Sequence, residues 1–470
     1  MNREYRLSID GAPCAGENGT FSVLNPATEA VLAECPNASV SQLDAAVAAA
    51  ASAFREWRHS SDDTRKRLLH AIADKIEADG AELAEIVVAE QGKPLFLAQA
   101  EVGGAVAWTR ATAELEIPLE VIEDSAGKRI EMHRKPLGVV GSITPWNWPL
   151  MIAVWHIMPA LRTGNTVVIK PSEYTPLNTL RLVELIAEVA PKGVVNVITG
   201  TTGIGRAMSV HARINKIVFT GSTATGKDIM FHAANNLKRL TLELGGNDAG
   251  IVLPGTDVDA VAMPIFQGAF LNMGQTCAAL KRLYVHDSLY DALCARLVAI
   301  AQQQQLGNGM AEGTTFGPVQ NRKQLEIVSE LVEDARNSGA RILCGGERPT
   351  GQGYYYPPTI IADATDGMRI VDEEQFGPVL PVIRYSEVDD AVRRANDCDA
   401  GLGGSVWGAD VELAKQVATR LECGTAWING HAEVLPHAPF GGCKMSGFGV
   451  EFGVEGLLEY TSPQLLNINK

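Results

Sequence analysis

Residues 217–228 read IVFTGSTATGKD: an apolar, β-branched run that passes without a linker into a glycine turn and then a helix-forming segment. We read 217–220 as a strand, Gly221-Ser222-Thr223 as the turn at its carboxyl end, and 226–233 as a helix. The surroundings repeat this pattern. Upstream, 139–143 (VVGSI) is a strand broken by Trp146-Asn147-Trp148-Pro149, and 166–170 (TVVIK) is a strand. A helix over 177–189 and a strand over 194–198 follow, and 239–243 supplies one more strand beyond the quoted stretch. Short apolar strands alternating with helices predict a parallel, doubly wound sheet. Such sheets bind nucleotides at the carboxyl ends of their strands, where Asn147, Lys170, Glu173, Gly221, Ser222 and Glu243 fall.

Two nucleotide signatures test this reading. The dinucleotide fingerprint G-x-G-x-x-G is absent, and GSTATGKD only approaches the P-loop G-x-x-x-x-G-K-[ST]. Asp228 stands where the P-loop needs a metal-binding hydroxyl, and a carboxylate there has the wrong charge to face phosphate. A plain turn is one alternative. Glycines that open a helix whose N-terminus faces a pyrophosphate fit better.

A second stretch carries chemistry. Residues 268–281, GAFLNMGQTCAALK, place Cys277 after a Gly-Gln-Thr turn with small Ala278 and Ala279 beside it. A thiolate attacks carbonyl carbon, so such a site must manage the pKa of its sulfur. Taken alone, Cys277 reads first as a buried structural cysteine, as most free cysteines are.

Length and composition set the bounds. A chain of 470 residues is too long for one core, so two or three domains are expected. The net charge of −15 argues against nucleic acid or an anionic membrane as partner. The start, MNREYRLSID, lacks the apolar core of a signal peptide, and no apolar run is long enough to span a bilayer. The eight cysteines form no C-x-x-C pair and no metal-ligand constellation appears, so a reducing cytoplasm is expected and no metal. Residues 1–38 carry turn signals between short β-branched runs, and 41–115 reads as Ala-rich helices whose charges form solvated faces. Residues 118–137 read as a two-stranded ribbon, which needs a partner sheet. After Glu243 a second α/β region begins, with strands over 250–253, 282–286, 377–385, 403–407 and 424–429 and a helix over 258–273 leading to Cys277.

Seven motifs now stand in order: Thr144-Pro145-Trp146-Asn147, Lys170-Pro171-Ser172-Glu173, Phe219-Thr220-Gly221-Ser222-Thr223, Leu242-Glu243-Leu244-Gly245-Gly246, Gly274-Gln275-Thr276-Cys277, Glu373-Glu374-Gln375-Phe376-Gly377-Pro378 and Pro439-Phe440-Gly441-Gly442. In this order, over roughly residues 20–461, they resemble the NAD(P)-dependent aldehyde dehydrogenases with a cysteine nucleophile, of the hydrolytic, non-acylating type. The resemblance implies an α/β fold with a Rossmann-like cofactor domain (1–117 and 138–244), a second α/β catalytic domain (245–445) and a small β oligomerisation arm (118–137 and 446–470). It also accounts for the missing fingerprint, because this family binds its dinucleotide without that glycine pattern.

The implied chemistry is oxidation of an aldehyde to its acid. Cys277 attacks the carbonyl to give a thiohemiacetal, the Asn147 amide and the Cys277 N–H hold the oxyanion, and hydride leaves to the nicotinamide. Glu243 then activates water against the thioester. The implied cofactor contacts are Ile143, Thr144, Pro145, Trp146, Lys170, Ser172, Glu173, Gly203, Phe219, Gly221, Ser222, Leu244, Glu374 and Phe376. Glu173 is placed to meet the adenosine ribose, so NAD is expected rather than NADP. The implied pocket is Trp148, Met151, Trp155, Thr276, Ala278, Val434 and Phe440, mostly apolar, which suits a medium-sized neutral aliphatic or aromatic aldehyde. A semialdehyde or betaine aldehyde dehydrogenase of the same fold is an alternative, the latter because aromatic faces attract quaternary ammonium. A CoA-acylating relative would typically lack the glutamate at 243, and a non-catalytic binding protein would be free to lose Cys277, Glu243 or Asn147. The expected partners are a small-molecule aldehyde and further copies of the chain, in a homodimer or homotetramer.

Overall fold

The computed structural model describes residues 3–470. Its first sheet has eight strands in the order Ala12–Cys14, Leu7–Ile9, Val195–Val197, Thr166–Lys170, Val139–Ile143, Lys216–Thr220, Arg239–Glu243 and Gly447–Phe448. The five central strands are parallel. Val139–Ile143, Thr166–Lys170 and Lys216–Thr220 are buried along their whole length. Their unbroken apolar runs follow, because helices cover both faces of the sheet. From Val139–Ile143 the chain winds outward through Thr166–Lys170 to Val195–Val197, then returns to lay Lys216–Thr220 on the other flank. That reversal opens a crevice between the carboxyl ends of Val139–Ile143 and Lys216–Thr220.

The second sheet has seven strands in the order Arg341–Cys344, Thr359–Ala364, Val379–Tyr385, Leu280–His286, Asp248–Val252, Gly403–Trp407 and Thr425–Ile428. All its pairings are parallel except that of Arg341–Cys344 with Thr359–Ala364. Glu120–Asp124, Lys128–Pro136 and Thr461–Asn469 form a separate antiparallel sheet. Of residues 446–470, only the last strand joins that sheet. Gly447–Phe448 pairs with Arg239–Glu243 instead, and the helix Gly453–Leu458 packs on the helix Pro149–Arg162.

Local chemistry sets the helix starts. Ser39 and Gln42 form a capping box on Val40–Trp57, and Ser222 caps Thr223–Ala233. Pro149 opens Pro149–Arg162, where its missing N–H costs nothing. The helix expected over 258–273 stops at Phe270. Asn272, Met273 and Gly274 then take three successive left-handed conformations, at φ 53°, 56° and 70°. The charges of 41–115 are not all on solvated faces: Glu90, Lys93 and Glu101 are buried. Glu90 and Glu101 instead accept N–H groups from the starts of two neighbouring helices. Among the described residues no helix is long and apolar enough to cross a membrane.

Candidate active site

Cys277 sits between the two sheets, and its position begins with the left-handed turn before it. Gly274 is glycine of necessity: its φ is +70°, and a Cβ there would lie 2.1 Å from the Gly377 carbonyl. Met273 gains no such freedom, so its conformation is strained and held by its surroundings. The Asn272 amide ties this turn to the first sheet by donating to the Asn147 carbonyl at 2.8 Å. Asn147 replies across the same seam, its Nδ2 donating to the Gln275 carbonyl at 3.0 Å. One amide hydrogen of Asn147 is thus engaged, and the other remains to point at a ligand.

On one side of Cys277 lies a cavity of about 210 Å³ whose lining includes Trp146, Asn147, Gly221, Ser222, Glu374 and Phe376. It is the inner end of the crevice at the strand reversal. Pro145 and Leu244 also face it, together with Thr220, Gly245, Gln324 and Ile327. The remaining expected cofactor residues continue along the strand ends. Ile143 pairs with Lys170, and the Thr144 N–H donates to the Lys170 carbonyl at 3.2 Å. Ser172 and Glu173 follow in the next turn, Gly203 lies exposed in the first turn of Thr202–Val210, and the Phe219 ring packs under Gly221. Lys170 is buried and donates to the Pro171 carbonyl at 3.0 Å; burial pulls its ammonium down to about 8 while Glu173 pushes it back up. Asp228 pairs with Arg206 at 3.0 Å on the protein surface, so nothing of a P-loop remains at that helix.

On the other side of Cys277 is an aromatic wall. Ala278, Leu402 and Phe440 pack together with Val434, Trp427, Phe452 and Cys277 itself. Trp155 meets Phe452 edge-on at 4.7 Å and Trp108 at 5.9 Å. The Trp148 indole donates to Thr276 Oγ1 at 3.0 Å, and the Met151 side chain fills the space above Gly104.

The electrostatics are those of a dry, acidic site. Burial pushes the Cys277 thiol well above its ordinary range, and Glu243, Glu374 and Asp248 push the same way; only the Ala278 N–H favours the thiolate. Glu243 is buried with neither carboxylate oxygen hydrogen-bonded, and burial together with Glu451 raises its pKa far above the carboxylate range. Gly441 makes room for it, since a Cβ there would lie 3.2 Å from Glu243 Oε1. Glu374 accepts the Gly246 N–H at 3.2 Å, and burial raises it to about 8 against the pull of Lys281. Phe376, at φ 46°, sets its ring edge-on to Trp146 at 5.3 Å.

The family model for the aldehyde dehydrogenase family matches residues 14–466. The chain belongs to the aldehyde dehydrogenase family. It is 39% identical to a phenylacetaldehyde dehydrogenase of Pseudomonas fluorescens over 472 residues, covering 97% of this chain and 93% of the relative. It is also 39% identical to retinaldehyde dehydrogenase 3 of Homo sapiens, covering 100% of this chain and 92% of the relative. The NAD+ complex of an aldehyde dehydrogenase from Bacillus cereus superposes with a TM-score of 0.97 at 38% identity, covering 100% of this chain and 97% of that one.

Within this aldehyde dehydrogenase fold, several site neighbours escape a reading of the sequence. Trp108 and Phe452 complete the aromatic wall from a remote helix and from the carboxyl-terminal region. Glu451 stands behind Glu243, and its Oε1 lies 3.2 Å from the buried His156 Nε2. His156 also contacts Ser142 Oγ at 2.8 Å and Thr220 Oγ1 at 3.0 Å. A histidine nine residues after Asn147 on an apolar helix carries no sequence signal that separates it from a packing residue.

Proposed function

We propose that this aldehyde dehydrogenase oxidises medium-sized neutral aldehydes with NAD, through covalent intermediates on Cys277. The observation that carries the reading is Cys277 set between the crevice cavity on one side and the aromatic wall on the other, with the unpartnered carboxylate of Glu243 close enough to perturb its thiol. In this reading the Cys277 sulfur bonds to the aldehyde carbon as its proton leaves toward Glu243. The second N–H of the Asn147 amide and the Cys277 backbone N–H receive the oxyanion, a contact worth about 2.7–4 kcal/mol of barrier for each donor. NAD, when bound, supplies the hydride acceptor that turns the thiohemiacetal into a thioester. Glu243 passes the cysteine proton to solvent and then takes a proton from water as the water oxygen bonds to the acyl carbon; the carbon–sulfur bond breaks, and that proton moves to the sulfur to restore the thiol.

Several features support the dinucleotide crevice. Gly203 has open space where a Cβ would sit, so internal packing does not demand a glycine there. Gly221 and Ser222 line the crevice at the start of the helix Thr223–Ala233, an end that favours an anion. Lys170 and Glu173 would hold the adenosine ribose, Gly221 and Ser222 the pyrophosphate, and Glu374 with Phe376 the nicotinamide ribose. The carboxylate of Glu173 would repel a 2′-phosphate, which favours NAD over NADP. The apolar wall of Trp155, Phe440 and Phe452 favours uncharged substrates, with aromatic aldehydes first among those to try. A homodimer or homotetramer is supported by exposed apolar groups on the small sheet (Val121, Ile122, Leu465, Ile468) and near the end of Thr223–Ala233 (Met230, Phe231, Leu237).

NADH formation across a panel of aldehydes tests the proposal. Hexanal and benzaldehyde should give a higher kcat/KM than succinate semialdehyde, and NAD a higher kcat/KM than NADP. Cys277→Ala should abolish turnover and leave cofactor binding intact. The absence of any acyl adduct on Cys277 during turnover, read by mass spectrometry, would sink the mechanism.

A further inference from the structure

The geometry points to Lys93 and Glu101 as a buried positioning pair that fixes Asn147 and Trp148 against the nucleophile turn; it rests on the reading of Asn147 as oxyanion donor. The two side chains meet at 2.5 Å, and neither has any exposed surface. Lys93 follows the helix Gly80–Gln91, which Gly92 ends at φ 96°, and Glu101 lies in the helix Leu95–Glu114.

What the pair touches gives its role. Lys93 Nζ donates to the Asn147 backbone carbonyl at 3.1 Å and lies 3.7 Å from the centre of the Trp148 ring. Glu101 uses its other oxygen to accept the Leu150 and Met151 N–H groups, at 3.0 and 3.1 Å, at the start of Pro149–Arg162. Asn147 and Trp148 are therefore gripped at a carbonyl, at a ring and at the helix that follows them. Beyond them lie Gln275 and Thr276, bonded to the Asn147 amide and the Trp148 indole, and then Cys277. The grip ends one residue from the sulfur.

A buried ion pair is a poor source of stability. Replacing both members with neutral groups of similar size is often harmless, whereas removing one leaves an unpaired charge. Precise placement of a transition-state donor is another matter, because an error near 1 Å can cost about a hundredfold in rate. Lys93 and Glu101 also touch Pro149–Arg162 and Asn147 at the same time, which stability alone does not require.

The test is a cycle between the pair and Asn147. Lys93→Met/Glu101→Gln removes the ammonium but keeps an acceptor for Leu150 and Met151. Lys93→Gln/Glu101→Gln is a second variant that retains a possible donor to the Asn147 carbonyl. Each is compared with wild type and with Asn147→Ala for melting temperature, kcat, both KM values and the rate of Cys277 alkylation by iodoacetamide. We expect folded proteins, with kcat down about 10- to 100-fold in Lys93→Met/Glu101→Gln and less in Lys93→Gln/Glu101→Gln, and with KM for NAD and alkylation within about twofold of wild type. Combined with Asn147→Ala, the pair substitution should cost little more than Asn147→Ala alone, because both act on one donor. A folded Lys93→Met/Glu101→Gln variant with kcat within about twofold of wild type, a Lys93→Gln/Glu101→Gln variant that loses more kcat than the Met variant, or losses that multiply fully in the combination, would overturn the inference. If Asn147→Ala itself leaves kcat unchanged, the oxyanion reading fails first, and the two failures are distinguishable.

Discussion

Among the described residues four glutamates are buried, Glu90, Glu101, Glu243 and Glu451, and the first three are treated in opposite ways. Glu90 accepts the Leu177 N–H at 2.7 Å, the Asn178 N–H at 3.0 Å and the Asn178 side-chain amide. Glu101 accepts two backbone N–H groups and the Lys93 ammonium. Both sit at the amino ends of helices, where unpaired N–H groups and the helix dipole favour a carboxylate. Glu243 has no partner on either oxygen, and it is the only carboxylate among the described residues with both oxygens buried and unpartnered. A buried polar group without a partner costs roughly 1–3 kcal/mol, so it persists where a ligand or a reaction uses it. On the proposed reading, the contrast separates carboxylates that hold the scaffold from one that acts on the substrate.

The sharpest way to break the contrast is to neutralise the unpartnered member. Glu243→Gln should slow thioester hydrolysis by about 10²–10⁴, the usual range for loss of a general base, and let acyl-enzyme accumulate on Cys277. Its melting temperature should not fall, since no hydrogen bond is lost. Rapid-quench mass spectrometry and a thermal melt check the two halves. Normal hydrolysis with a lowered melting temperature would assign Glu243 to the scaffold instead.

Glu90 should give the mirror image. Glu90→Ala orphans the Leu177 and Asn178 N–H groups, at roughly 1–3 kcal/mol for each buried group, while kcat of the folded enzyme stays the same. Denaturant unfolding and kcat per folded molecule measure this. The group also links stability to pH. Burial raises its pKa to about 8 in the fold, so the folded state holds its proton more tightly than the unfolded chain. The linked stability is complete below the unfolded value near 4.5 and is lost as pH rises toward 8. Glu90→Gln should flatten that slope.

For Glu243 the same physics appears as rate. Burial and Glu451 hold its carboxyl protonated well above the carboxylate range, and only the ionised form can take a proton from water. When deacylation limits turnover, kcat should climb with pH about tenfold per unit on the acid limb. Glu451→Gln removes the neighbouring negative charge and should move that limb to lower pH. A kcat profile flat from pH 6 to 9 in both proteins would remove Glu243 from the role.

Much of this is legible in the amino-acid sequence, and the parts that are not share a cause. The strand-to-turn step at Thr220-Gly221-Ser222 and the motif around Cys277 are local, so the sequence carries them whole. Lys93, Glu101, Glu451 and His156 are ordinary residues on ordinary helices and loops. A charge in an Ala-rich helical region reads as solvated by default, and burial is decided by elements far away in sequence. Glu101 meets Leu150 and Met151 only because Leu95–Glu114 and Pro149–Arg162 pack side by side. The helix expected to run to Met273 fails for a related reason. Its break at Leu271 is enforced by Asn147 and Gln275, which accept the Asn272 amide.

The smallest expected effect tests whether the aromatic wall repeats the contrast in neutral form. The Trp407 indole, in the core, donates to Ser405 Oγ at 3.0 Å, whereas the buried indole N–H groups of Trp155 and Trp108 have no acceptor. Trp155 is held by ring contacts, to Phe452 at 4.7 Å and to Trp108 at 5.9 Å, each worth about 0.5–1.5 kcal/mol beyond area burial. If this wall selects substrate, Trp155→Arg places a cation among apolar rings with no carboxylate acceptor among them. Neutral aldehydes then lose the ring surface they pack on, while an acidic aldehyde gains a charge partner. Benzaldehyde and hexanal should lose about 3- to 10-fold in kcat/KM, the equivalent of 0.7–1.4 kcal/mol, and succinate semialdehyde should lose less or gain. Trp155→Phe keeps the apolar face and should stay within about twofold of wild type for all three. If Trp155→Arg lowers every substrate by the same factor, the wall only braces the helix Pro149–Arg162 and does not select the aldehyde.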